Sequence, residues 1–169
     1  MNYNWSELDN AIDIRNEFVR NFVNTNMPLF NDHIIQIKND GYSGFLWEFL
    51  HNPSVIDEKD AFSHIEKKPL VLFFFDNWHS YKSKTYVFPE KTWKHTVYKS
   101  SGVVLLDIML NYCFVGLEHQ EKDIEPIPDE VYIFDETYNW YIVLTKENLP
   151  NGERLCFSKG LNRLECFNP

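Results

Sequence analysis

The sequence predicts an α+β fold, with an N-terminal helical layer packed on a mainly antiparallel C-terminal sheet. Apolar residues recur at helical spacing through the first fifty positions. After Pro69 that spacing gives way to short apolar and β-branched runs separated by turn residues. Between residues 130 and 147, Val131-Tyr132-Ile133-Phe134 and Trp140-Tyr141-Ile142-Val143-Leu144 flank a polar Asp135-Glu136-Thr137-Tyr138-Asn139 segment, which reads as a hairpin with a loop longer than two residues. The chain has 169 residues, enough for one sizeable core. Residues 1–169 carry no repeat, low-complexity linker or composition break, and are read as one domain.

A helix is expected over residues 6–24. Ser6 can accept an early backbone N–H, Glu7 and Asp9 suit the positive helix end, and Leu8, Ile12, Phe18 or Val19, and Phe22 form a stripe that Arg15 interrupts. Pro28 suits the first turn of a second helix with Phe30, Ile34, Ile35 and Ile37 on its apolar side, ended by Asp40-Gly41. Phe45, Leu46, Phe49 and Leu50 give a short helix within residues 42–50, and Asn52-Pro53 stops it. Asp57 is expected to cap a further helix with Ala61, Phe62 and Ile65 facing inward. Leu70-Val71-Leu72-Phe73-Phe74-Phe75 lacks helical amphipathicity and reads as a strand covered on both faces. Tyr86-Val87-Phe88 and Val97-Tyr98 are short strands. Residues 103–117 fit a strand at 103–106 or a helical face of Leu105, Ile108, Met109, Tyr112 and Cys113, and strand pairs are preferred. Residues 118–129 are acidic and contain Pro126 and Pro128, a surface connection, and 155–157 return as a short strand.

Composition narrows the functions. The net charge of -9 opposes binding to a nucleic-acid backbone or an anionic lipid surface. Lys82, Lys84, Lys91, Lys94, His95 and Lys99 lie among Tyr81, Tyr86, Trp93 and Tyr98, and an ordinary charged surface is the preferred reading over a base-stacking site. The 3 cysteines, Cys113, Cys156 and Cys166, form no Cys-x-x-Cys pair and no even framework, which points to a reducing cytoplasm. Residues 1–25 lack a basic segment followed by an apolar run, so no signal peptide is expected. Asp107 and Asn111 break the most apolar window, so no membrane span is expected either.

Gly44-Phe45-Leu46-Trp47, then Tyr132-Ile133-Phe134-Asp135, Trp140 and Thr145-Lys146-Glu147 resemble the motifs of an uncharacterised bacterial domain family known mainly from Gram-positive Firmicutes. The likeness covers roughly residues 40–147, including the passage from Asp60 to Phe75. Lys146 stands where that family usually has His, so any metal or acid–base role of that His is not implied here. The family implies no activity. A looser likeness links small acidic domains of this kind to bacterial toxin-immunity proteins.

Two chemistries compete with simple packing. Asp135 and Glu147 flank the hairpin, and two nearby carboxylates can split their pKa values for general acid–base work. Asp76, His79 and His95 are the best candidates for a metal or proton-transfer group, although no His-Glu-x-x-His or cysteine cluster accompanies them. Asp135 more often accepts backbone hydrogen bonds in a turn of this kind. No Gly-x-Ser-x-Gly, Walker loop or Gly-x-Gly-x-x-Gly occurs, and no cofactor or metal is assigned. The preferred expectation is a non-enzymatic cytoplasmic domain that binds a basic protein partner in a toxin-neutralising or regulatory role. Trp78, Tyr81, Trp93 and Glu118 are its interface candidates. The alternative is a small hydrolytic or processing enzyme using Asp76, His79, His95, Asp135 and Glu147.

Overall fold

The computed structural model of the chain describes residues 6–31, 46–58, 73–74, 76–82, 84–89, 97–100, 130–145 and 154–161. The elements are β1 (Ser6–Glu7), α1 (Ala11–Phe22), β2 (Ser54–Glu58), β3 (Thr85–Pro89), β4 (Tyr98–Ser100), β5 (Glu130–Asp135), β6 (Tyr141–Thr145) and β7 (Arg154–Lys159). Among the described residues, the strands form one 7-stranded sheet in the order β1-β4-β3-β5-β6-β7-β2. Every neighbouring pair is antiparallel. The α+β class and the antiparallel sheet are therefore as expected, but both edge strands come from the N-terminal half of the chain.

The sheet is sandwiched. One face presents Phe88, Tyr132, Phe134, Tyr141, Val143 and Phe157, and α1 lies on it through Ala11, Ile14, Phe18 and Phe22. Those four positions follow the 3.6-residue helical repeat, so they form one stripe. Phe18 is fully buried and sits at the centre. Its ring meets those of Phe88, Tyr132 and Tyr141 edge-on at 5.4, 5.7 and 6.0 Å, a geometry that sets ring edges against ring faces. Arg15, the break in the expected stripe, places its guanidinium 4.5 Å from the Phe88 ring centre, so its charge meets a π face. The opposite face presents Val87, Val131, Ile133, Ile142, Leu144 and Cys156, covered by Phe73, Phe74 and Tyr81.

The differences from the sequence reading have physical causes. The first helix starts at Ala11, not at residue 6. Ser6 and Glu7 instead pair with Lys99 and Tyr98, and the Leu8 N–H donates to Val97 O at 3.1 Å. Strand pairing thus takes the backbone groups that a Ser6 cap was expected to serve, and Asn10 becomes the cap residue without a side-chain hydrogen bond. Pro28 lies in a turn, with helical backbone at Phe30 and Asn31, and the rest of the expected second helix lies outside the described residues. Leu46–Phe49 is helical but tightened to 3-10 geometry. Asp57 lies within β2, whose residues 54–58 pair along their whole length with β7, and the helix expected after it lies outside the described residues. Long-range pairing holds Asp57 itself in a strand. Phe73 and Phe74 are helical, not extended, and the Asn77 amide donates to Phe73 O at 2.9 Å. They cover the sheet without joining it. Among the described residues, β5 and β6 are buried on both faces, with residues 131–135 and 140–145 all enclosed.

Candidate functional site

The hairpin turn holds the most organised polar group. Asp135 is buried, and its Oδ1 accepts the backbone N–H groups of Asn139 and Trp140 at 2.7 and 2.9 Å. Its Oδ2 accepts the Thr137 hydroxyl, and the Asn139 amide donates to that same hydroxyl oxygen at 2.7 Å. Both carboxylate oxygens are thus engaged in shaping the turn. Tyr138 takes the left-handed conformation this turn requires, with φ 56°. Gly160, at φ 74°, lies directly behind it, where a Cβ would run into the Asn139 carbonyl oxygen. Asp135 is placed for structure, and its expected partner Glu147 lies outside the described residues.

Asp76, with helical backbone, and His79, in the turn that follows it, are both exposed ahead of the 3-10 helix Ser80–Lys82. His95 lies outside the described residues. Among the described residues, no three His, Cys, Asp or Glu side chains are grouped to hold a metal ion. No helix among them is long and apolar enough to cross a membrane.

The expected aromatic interface is only partly at the surface. Tyr81 is fully buried, with its ring 5.6 Å from that of Trp140. It is core, because the chain from Phe73 to Tyr81 folds down as the second covering layer. Burial, then the Cys156 thiol, raises its hydroxyl above the usual tyrosine range. Among the described residues its hydroxyl has no hydrogen-bond partner, and neither do those of Thr85 and Tyr141. Burial, then Cys156, raises Tyr141 as well. Trp78 is half-buried against this layer, and Trp93 and Glu118 lie outside the described residues.

Among the described residues, the large apolar side chains that face solvent are others: Leu29 at 71%, Ile12 and Val55 at 54%, and Met27 at 36%. Leu29 is also left-handed, with φ 73°. A leucine there crowds its Cβ against backbone, at a cost of roughly 1–2 kcal/mol. The turn is built by Met27 N–H to Asn24 O and Phe30 N–H to Met27 O, both at 3.2 Å, while buried Phe30 meets Phe49 edge-on. One sequence signal marks this place: residues 21–31 contain no charged side chain in a chain that is 24% charged.

No protein-family model, curated protein or solved structure matches the chain. Of the residues that suggested a family likeness, Trp47, Tyr132, Asp135 and Trp140 have structural contacts, and Gly44, Phe45, Lys146 and Glu147 lie outside the described residues. The Trp47 N–H donates to the Tyr132 hydroxyl at 3.0 Å, joining two of the motifs across the sequence. Asp135 shapes the turn, and Trp140 packs on Tyr81.

Proposed function

We infer that this chain is a non-enzymatic, intracellular protein-binding domain, in its most concrete form a neutralising or regulatory partner of another protein. The observation that carries this reading is the Met27-Pro28-Leu29 turn. Leu29 is mostly exposed and held left-handed, and its burial repays none of that strain within the fold. Backbone strain at an exposed apolar side chain is a motive for looking outward. The uncharged neighbours Asn24, Thr25, Asn26 and Asn31 supply the charge-depleted surroundings typical of an interface centre. The wider charge of -9 favours a basic partner in the encounter.

The test is a pull-down from the native cell at physiological salt, comparing the parent with Leu29→Asp and with Ile12→Asp. A stoichiometric partner kept by Ile12→Asp and lost by Leu29→Asp is expected. No stoichiometric partner, or equal capture by all three, rejects the reading.

A further inference from the structure

We propose that Tyr86, Tyr138, Glu17 and Glu136 form a receptor for an arginine side chain of a basic partner protein. The proposal rests on the protein-binding reading above but uses other residues, so the two fail separately.

The sheet register builds the site. Lys99 pairs with Tyr86, and Tyr86 with Phe134. Cross-strand partners share a face, so these three side chains form one row on the face that α1 covers. Phe134 is fully buried and forms the floor. The Tyr86 and Tyr138 rings each lie 5.5 Å from it. Tyr138 comes from the hairpin turn, and its ring also lies 6.5 Å from Phe22 of α1. Burial first, then the Tyr86 hydroxyl and the Glu17 carboxylate, raises the Tyr138 hydroxyl above the usual tyrosine range, so the three polar groups lie near one another. Both tyrosines are partly exposed, and the Glu17 and Glu136 side chains keep 41% and 40% of their surface in water.

What the site accepts is indicated by what it already holds. The Lys99 ammonium lies 5.9 Å from the Tyr86 ring centre and 3.8 Å from the Glu136 carboxylate. Both distances are near the outer limits of such contacts, about 6 Å for a cation and a ring and about 4 Å for an ion pair. Elsewhere on this face the Arg15 guanidinium approaches the Phe88 ring centre to 4.5 Å. The face thus holds a guanidinium closely and an ammonium loosely. A guanidinium is planar and weakly hydrated, and it can stack on a ring while forking to a carboxylate. Arginine therefore suits two tyrosine rings and two carboxylates better than the resident lysine does. Glu17 is engaged by Arg20 at 2.8 Å, but that arginine side chain is 74% exposed, and an ion pair in water exchanges at little cost. The net charge of -9 draws a cationic segment toward the surface.

The probes are three capped pentapeptides, Ser-Gly-Arg-Gly-Ser and the same peptide with Lys or uncharged citrulline at its centre. Binding to the whole protein is read from amide and aromatic chemical shifts in NMR titrations. The Arg peptide is expected to shift Tyr86, Tyr138 and Glu136, and to bind about threefold or more tighter than the citrulline peptide. Lys99→Gln removes the competing cation and should tighten the Arg peptide about twofold or more. Lys159→Gln, at the far end of the same cross-strand row and with the same change in net charge, should not. Tyr138→Leu, and Glu17→Gln with Glu136→Gln, should each weaken it. Thermal melts check that each variant folds. If Tyr138→Leu does not, the parent titrations and the lysine and carboxylate variants still decide. Shifts confined to other residues, equal binding of the Arg and citrulline peptides, or tighter binding of the Lys peptide overturns the proposal. So does an equal effect of Lys99→Gln and Lys159→Gln, because net charge alone would then explain the binding.

Discussion

The β5–β6 hairpin and the rim formed by residues 24–31 and β2 are both rich in apolar side chains, yet they handle them in opposite ways. In the hairpin every residue from 131 to 135 and from 140 to 145 is enclosed, and the turn carboxylate has a donor for each oxygen. On the rim, Met27, Leu29 and Val55 stand in solvent, and Leu29 is strained as well. Hydrophobic content alone therefore does not distinguish core from interface. What distinguishes them is whether a second layer covers the face and whether the backbone conformation suits the residue that occupies it.

The contrast breaks hardest at Phe18. It is the helix residue that meets the rings of β3, β5 and β6 together, so Phe18→Ala leaves a cavity as well as losing transfer energy. The expected loss is about 3–5 kcal/mol in urea unfolding. A loss below about 2 kcal/mol would show that the hairpin's enclosure does not depend on α1.

Asp135→Ala comes next. It strands the buried Trp140 N–H and takes the acceptor from the Asn139 N–H and the Thr137 hydroxyl of a partly exposed turn, an expected cost of roughly 1–3 kcal/mol. Asp135→Asn keeps an acceptor for both N–H groups and should recover most of that loss. A catalytic Asp135 would show the reverse pattern, with stability of Asp135→Ala little changed and an activity abolished by Asn. Equilibrium denaturation of the two variants separates these outcomes.

Much of the sheet was legible because its signals are local. Alternation and turn chemistry located β3, the β5–β6 hairpin and β7, and Asp135 has the turn role its position suggested. The errors lie where long-range contacts decide. Nothing near Ser6 announces that residues 98–99 will pair with it, and a Val-Ile pair before Asp57 reads equally as a helix entry or as a strand. Phe73 and Phe74 show the same ambiguity, since an apolar run without period fits a strand between two layers or a helical turn that is itself the layer. The rim was nearly invisible. Its signal is an absence of charge over residues 21–31, and a positive φ at leucine has no sequence signature.

Tyr81→Phe sharpens the comparison from inside. The hydroxyl is buried with no partner among the described residues, so removing it should raise stability at neutral pH by about 1 kcal/mol. The parent's pH dependence has a defined sign. The Tyr81 and Tyr141 hydroxyls are raised above their ordinary 10.0 by burial first and Cys156 second. Below that pH both folded and unfolded chains keep the protons, and the contribution is complete. Above it the unfolded chain ionises first, so stability falls as pH rises. Tyr81→Phe should therefore hold its melting temperature to higher pH than the parent. Coincident alkaline melting profiles would show that this hydroxyl is not sealed.

The smallest effect is expected on the rim, at Leu29. Glycine there removes the left-handed crowding of roughly 1–2 kcal/mol but adds about 0.5–1 kcal/mol of lost chain freedom on folding. Leu29→Gly should thus be neutral to stabilising by at most about 1.5 kcal/mol, and Leu29→Asn, which tolerates that conformation without the added entropy, should do slightly better. Thermal melts of both variants supply the measurement. A melting temperature that holds or rises while the partner is lost would mean the leucine serves something outside the fold. A clear drop in both variants would mean that Leu29, despite its exposure, contributes to the native turn. The distinction between a satisfied core and an unsatisfied rim would then fail at the residue that states it most sharply.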